Sequence, residues 1–173
     1  VIVFTAISTT TWIAVLLNLT ADHLDRHGSM DAYGAAKARI FANQTPDDWA
    51  VINADDPQTL ALARAGRAKK VFFSVETPLV PLSSIRLIGR HLVADVMAAA
   101  AVARIAGVPH DAMVRAVESF TGLEHALEPV AVVGGVRFVN DSKATNVEAA
   151  TQAIEAFDRG LVVIMGGRFK GGD

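Results

Sequence analysis

Four short stretches of the chain bring together side chains capable of metal-binding, acid–base or anion-binding chemistry. The first is Asn18–His27, NLTADHLDRH, which follows the apolar run WIAVLLNL and carries Asp22 and His23. An aspartate beside a histidine can hold a divalent metal, or the histidine a phosphate. A loop beyond the carboxyl end of a buried strand is also where open α/β sheets bind ligands. The same two residues would equally serve as surface caps of the next segment. The second is Lys37, in SMDAYGAAKARIF. Ser29 and Asp31 mark a helix start, and Tyr33, Ala36, Ile40 and Phe41 fall on one helix face. Lys37 lies in the middle of that apolar stripe. Either its stem is buried while the ammonium stays wet, or the amine lines a site where it is neutralised or modified.

The third stretch is Asn140–Asn146, NDSKATN, between an apolar run and a helical pattern. Asp141, Ser142, Lys143 and Thr145 crowd donors and acceptors at a helix start, where free N–H groups suit an anion. An N-cap cluster with an incidental lysine is the plainer alternative. The fourth is Gly166–Asp173, GGRFKGGD, after LVVIM. Its glycines allow close backbone approach, and Arg168 and Lys170 supply charge; a simple turn with solvated cations would look the same. No G-x-x-x-x-G-K-[ST] phosphate loop occurs in the chain.

These stretches need elements to hold them, and the sequence supplies an alternating set. Strand-length apolar runs fall at Ile2–Ile7, Ile13–Leu17, Trp49–Asn53, Val71–Ser74, Ile85–Ile88, Val130–Val133, Val136–Val139 and Leu161–Met165. Helical patterns fall between them at Met30–Asn43, Pro57–Ala65, His91–Ala106, His110–Phe120 and Val147–Phe157. Continuously apolar strands alternating with helices predict an α/β fold with a largely parallel sheet. Gly134-Gly135 predicts the turn of a hairpin. A break is expected near Thr121–Glu128, where one α/β unit closes and another begins.

Composition narrows the function classes. The 173 residues are 51% hydrophobic and 20% charged, an ordinary globular balance rather than a disordered one. A net charge of −2 gives no electrostatic case for nucleic acid or an anionic membrane. With no cysteine, disulfides, zinc–thiolate sites and thiol nucleophiles are excluded, which fits the cytosol. No apolar window reaches membrane-spanning length. Val1 opens inside an apolar run and the last residues stop in a glycine loop, so both ends are expected to lie inside a longer protein.

Taken together and in order, LNLTADHLDRHGSMDAYGAAKARIF, VINADDP, FTGLEH, GVRFVNDSKATN and GGRFKGGD resemble the Mur ligases. These are the ATP-dependent amide-bond-forming enzymes of peptidoglycan synthesis, and the resemblance is to the branch that adds D-glutamate to UDP-N-acetylmuramoyl-L-alanine. It implies that residues 1–120 are the latter part of a central ATPase-type domain, and that 121–173 begin a Rossmann-like C-terminal domain. It also implies that Lys37 is carbamylated and, with His23, holds Mg2+. By the same resemblance Asp141, His91 and Asp95 face the nucleotide, and Lys143, Thr145, Ser142 and Lys170 face the incoming substrate. Lys37, His23 and Asp141 are then the groups closest to the chemistry, in a cytoplasmic enzyme.

Departures from the family pattern are specific. VIVFTAISTTTW stands where the family has E-x-S-S-F-Q-L-E. Leu92 and Asp95 replace asparagines that contact adenine, Ala126 replaces an arginine that helps bind ATP, and Phe169 replaces a common aspartate. Phosphoryl transfer depends on positioned charge, so without a phosphate cradle the polypeptide by itself is expected to show no ligase turnover. A non-catalytic module, self-associating through exposed sheet edges, is the alternative.

Overall fold

A computed structural model describes residues 11–20, 27–64, 66–158 and 160–167. Strand β1 spans Ile13–Leu16, β2 Trp49–Asn53 and β3 Lys69–Phe73, all parallel in the order β1-β2-β3. The register pairs Ile13 with Trp49 and Trp49 with Lys69. Parallel pairing demands crossovers. Helix α1, Met30–Ala38, with a 3-10 turn over Arg39–Phe41, supplies the first, and α2, Pro57–Ala63, supplies the second. Ser29 caps α1 by accepting from Ala32 N–H at 3.1 Å. Asp56 caps α2, with Pro57 opening the helix.

The sheet is covered on both faces, as its continuously apolar strands require. On one face Ala14, Leu16, Ala50 and Ile52 pack with Phe41 and Ala63 from the crossovers. On the other, Val51 and Phe73 pack under α3, Arg90–Ile105, and α4, His110–Ser119, through Val96, Met97 and Met113. Alternation along β2 sends Ala50 and Ile52 one way and Val51 the other.

Beyond residue 121 the architecture changes. Strands β4, Glu128–Val133, and β5, Val136–Asn140, form an antiparallel hairpin, and α5, Val147–Glu155, follows. Gly134 and Gly135 turn the hairpin at φ +58° and +80°, values open to glycine at both central positions of a tight turn. Among the described residues no helix is long and apolar enough to cross a membrane.

Three sequence expectations need correction. Ile85–Ile88 is not a strand: Ile85 N–H closes the 3-10 turn Leu82–Ser84, and Ile85 and Leu87 pack sideways onto the α3 core instead of joining a ladder. Leu161–Met165 is irregular, with Val162 88% and Ile164 96% exposed, because no described strand lies alongside to pair with it. Ile40 leaves the apolar stripe: α1 tightens to 3-10 at Arg39, which turns Ile40 outward and keeps Phe41 buried. Ile2–Ile7 lies outside the described residues.

Candidate functional site

Lys37 occupies the position that its spacing in α1 assigns. Its Nζ donates to the Asn18 carbonyl at 3.3 Å and stands 4.9 Å above the Tyr33 ring. Tyr33 is itself buried and lies tilted against His27, with ring centres 5.1 Å apart. Gly34 lets the helix close on the loop after β1: a Cβ there would lie 3.2 Å from Leu19 and 3.3 Å from Leu62. A carbonyl oxygen and an aromatic face together make an electron-rich hole around Nζ, which suits a cation. Among the described residues no group of three or more histidine or acidic side chains gathers to hold a metal. Mg2+ at this position would need an anionic oxygen, which a modified Lys37 would supply near the Asn18 carbonyl. His23, the expected companion ligand, lies outside the described residues, as does Lys170.

The loop that carries Asn18 is held by residues whose part the sequence did not reveal. In VINADDP, Asn53 Nδ2 donates to Leu17 O at 2.8 Å, and Asp56 Oδ2 accepts from Leu19 N–H at 2.8 Å. Asp55 accepts from Ser74 Oγ at 2.6 Å and from Val75 N–H at 3.0 Å, and Arg90 reaches it at 3.5 Å and Glu76 at 2.7 Å. One short motif thus ties the carboxyl ends of all three parallel strands to the start of α3. Acidic residues directly after a buried strand were the available signal.

At the start of α3, His91 is half-buried against Gly89, whose φ of +96° and lack of a Cβ leave room for the ring. One turn later Asp95 lines a cleft of about 400 Å³ walled by Leu92, Val96, Val117, Phe120 and Leu123, with Arg86 and Ala126 also on its lining. Leu92, Asp95 and Ala126, three departures from the family pattern, therefore share one cleft. The next residue, Leu127, donates its N–H to Asp141 Oδ1 at 3.0 Å, so the cleft adjoins the NDSKATN turn. In that turn Asp141 is half-buried, Ser142, Lys143 and Thr145 are exposed, and Asn146 caps α5 by accepting from Ala149 N–H at 2.7 Å. Asp95 and Ala126 share the cleft lining, Leu127 joins it to the Asp141 turn, and His91 stands one turn before Asp95 on α3. No hydrogen bond, ion pair or ring contact among the described residues joins Lys37 to that group.

Two carboxylates carry opposite electrostatic signatures. Burial alone would raise Asp55, but the Ser74 hydroxyl, the Val75 N–H and Arg90 outweigh it and hold its pKa below 3.8. Partial desolvation by the apolar cleft raises Asp95 above 3.8, and the opposing pull of His91 does not cancel it, although the residue as a whole is exposed. A depressed folded pKa adds stability that is present above 3.8 and fades as pH falls through the folded value; a raised one subtracts stability as pH climbs above 3.8. Asp95→Asn should therefore raise the thermal midpoint near neutral pH, with the gain vanishing in acid below 3.8. Melting curves of both proteins across that range read the difference. A gain that persists unchanged in acid would refute the assignment.

A sequence profile for the Mur ligase middle domain matches residues 5–80. The chain is 46% identical over 185 aligned residues to a protein of Acidobacterium capsulatum named UDP-N-acetylmuramoylalanine–D-glutamate ligase, covering 93% of this chain and 40% of that one. A protein of the same name from Geobacillus kaustophilus is 40% identical over 173 residues, covering 90% and 38%. The chain thus spans about 40% of the length of the curated relatives it matches. Among solved structures, MurF ligase from Thermotoga maritima in complex with ADP superposes with a TM-score of 0.67 at 21% identity, over 83% of this chain and 38% of that one. MurF from Acinetobacter baumannii gives 0.67 at 22% identity, over 83% and 36%. At those identities the likeness concerns the fold.

Proposed function

The chain belongs to the Mur ligase family, and from that premise we propose that it carries part of the site of an ADP-forming amide ligase joining D-glutamate to UDP-N-acetylmuramoyl-L-alanine in the cytoplasm. In this reading residues 1–120 are the latter part of the central domain and 121–173 the start of the C-terminal one. The change from parallel sheet to hairpin after residue 121 supports that division.

In the reaction the γ-phosphoryl group of ATP passes to the substrate carboxylate and ADP leaves; the amine of D-glutamate then attacks the acyl phosphate and phosphate departs. Catalysis of this kind rests on placed charge. Lys143 supplies an ammonium and Thr145 a hydroxyl for the glutamate carboxylates, and the family resemblance assigns Ser142 and Lys170 to the same substrate. His91 and Asp95 meet the base in the cleft, and Asp141 orients the nucleotide at its rim. Lys37 would combine with CO2, forming an N–C bond and releasing a proton, and the resulting carboxylate and His23 are the groups that would hold the metal. Bound Mg2+ supplies neutralisation of phosphoryl charge.

One observation carries this reading: Leu127 N–H holds Asp141 beside a cleft that also contains Asp95. Amide-shift titration of the labelled chain tests it. ADP with Mg2+ should move the signals of Asp95, Ala126 and Leu127, and D-glutamate those of Ser142–Thr145. No change in either set at millimolar ligand would overturn it.

A second reading has its own support. Val130, Val132, Val133, Val136 and Phe138 on the hairpin are each more than half exposed. An apolar surface of that extent suits assembly, including self-association. Sizing chromatography over a dilution series discriminates: a monomer at every concentration removes this reading.

A further inference from the structure

We infer that His125 is a positioning residue: held by Asn140 as the neutral Nε2–H tautomer, it locks the turn that carries Asp141 and Lys143. The functional half of this inference rests on the substrate role proposed above for that turn.

The tautomer follows from hydrogen-bond accounting. Asn140 Oδ1 accepts from Ser142 N–H at 3.0 Å, which fixes the amide orientation and leaves Nδ2 facing His125 Nδ1 at 2.9 Å. An amide NH2 only donates, so Nδ1 must accept and the ring proton sits on Nε2. Glu128 Oε2 lies 3.5 Å from Nδ1, but it already accepts the backbone N–H of His125 at 2.8 Å. With Nδ1 unprotonated, that approach is not an ion pair. A proton placed on Nδ1 would set donor against donor at Asn140.

The backbone of the same residue grips the site. His125 C=O accepts from Lys143 N–H at 3.0 Å, and two residues later Leu127 N–H reaches Asp141 Oδ1 at 3.0 Å. Both His125 and Leu127 adopt left-handed backbone, φ +67° and +47°, which side-chain-bearing residues enter only when their surroundings compel it. Ring and carbonyl of His125, with the amide of Leu127, thus fasten the segment 121–128 to the NDSKATN turn at three points, while the His125 amide is held within the segment by Glu128. The side chain is 58% exposed, so burial does not hold the ring in place; Asn140 does.

Asn140→Asp tests the lock, because it replaces the donor facing Nδ1 with an acceptor and leaves the acceptor facing Ser142. Long-range proton–nitrogen spectra of the labelled chain should show Nδ1 bare and Nε2 protonated, and in Asn140→Asp a proton on Nδ1. D-glutamate binding, read from the Ser142–Thr145 amides, should weaken by about fivefold or more in the variant, roughly 1 kcal/mol. Unchanged β1–β3 amide signals would confirm that the fold survives. A wild-type Nδ1–H ring, or a tautomer indifferent to Asn140→Asp, overturns the lock. A changed tautomer with unaltered D-glutamate affinity overturns the positioning role. If wild-type amides ignore D-glutamate while the tautomer behaves as described, the substrate reading fails and the lock stands.

Discussion

Alanine at Phe73 is expected to lower the unfolding free energy by about 3–5 kcal/mol, the range for an aromatic side chain deleted from a packed core. Phe73 closes β3, is 2% exposed and sits against the α3 core with Val51, Val80 and Met97. Its backbone C=O accepts from Ala54 N–H at 2.8 Å, so a cavity there opens directly beneath the VINADDP turn. A domain of ordinary stability holds only about 5–15 kcal/mol in total. At about 2–4 °C per kcal/mol for a chain of this size, the midpoint should fall by roughly 10 °C. The neighbour supplies the control. Phe72 points the other way along the strand and is 51% exposed, so Phe72→Ala should cost under about 1 kcal/mol. Equal losses from the two variants would contradict the placement of the core.

Asp56→Ala should cost about 1.5–5 kcal/mol, from two sources. One carboxylate oxygen caps α2, accepting from Gln58 N–H at 2.8 Å and Thr59 N–H at 3.3 Å, and caps of this kind contribute about 0.5–2 kcal/mol. The other accepts from Leu19 N–H at 2.8 Å, and Leu19 is buried, so its N–H is left without a partner at a further 1–3 kcal/mol or so. Asp56→Asn separates the two. An asparagine keeps the cap acceptor but turns an NH2 toward Leu19, so its loss should be intermediate. The functional consequence concerns Asn18, whose carbonyl receives Lys37 one residue before Leu19. Chemical denaturation with far-ultraviolet circular dichroism reads all three proteins. An Asp56→Ala protein within about 0.5 kcal/mol of wild type would show that the bond to Leu19 carries no weight.

The sequence made β2 legible residue for residue, because a central strand of a parallel sheet is apolar on both faces and ends where polarity returns at Asn53. Helices were readable for a related reason: caps such as Ser29 and Asp56–Pro57 announce their starts locally. Pairing is not a local property, and there the sequence misled. Ile85–Ile88 and Leu161–Met165 have strand composition but no described partner, and composition without a ladder does not make a strand. The site divides in the same way. Within the proposed site, Lys37 is singled out by standing on an apolar face, and Asp141 by crowding at a helix start. The clamping roles of Asn53, Asp55 and Asp56, and the grip of His125 on Lys143, join residues as far as 37 positions apart. Spacing within one element carries no trace of such contacts.

Lys37 is proposed to take up CO2 and become a metal ligand. Carbon-13 NMR of the chain in labelled bicarbonate, with and without Mg2+, tests this most directly. A carbamate resonance that responds to Mg2+ and disappears in Lys37→Arg is the predicted result. A folded chain that shows no such resonance at saturating bicarbonate and Mg2+ would contradict it, leaving Lys37 as an ammonium resting on Asn18 and Tyr33.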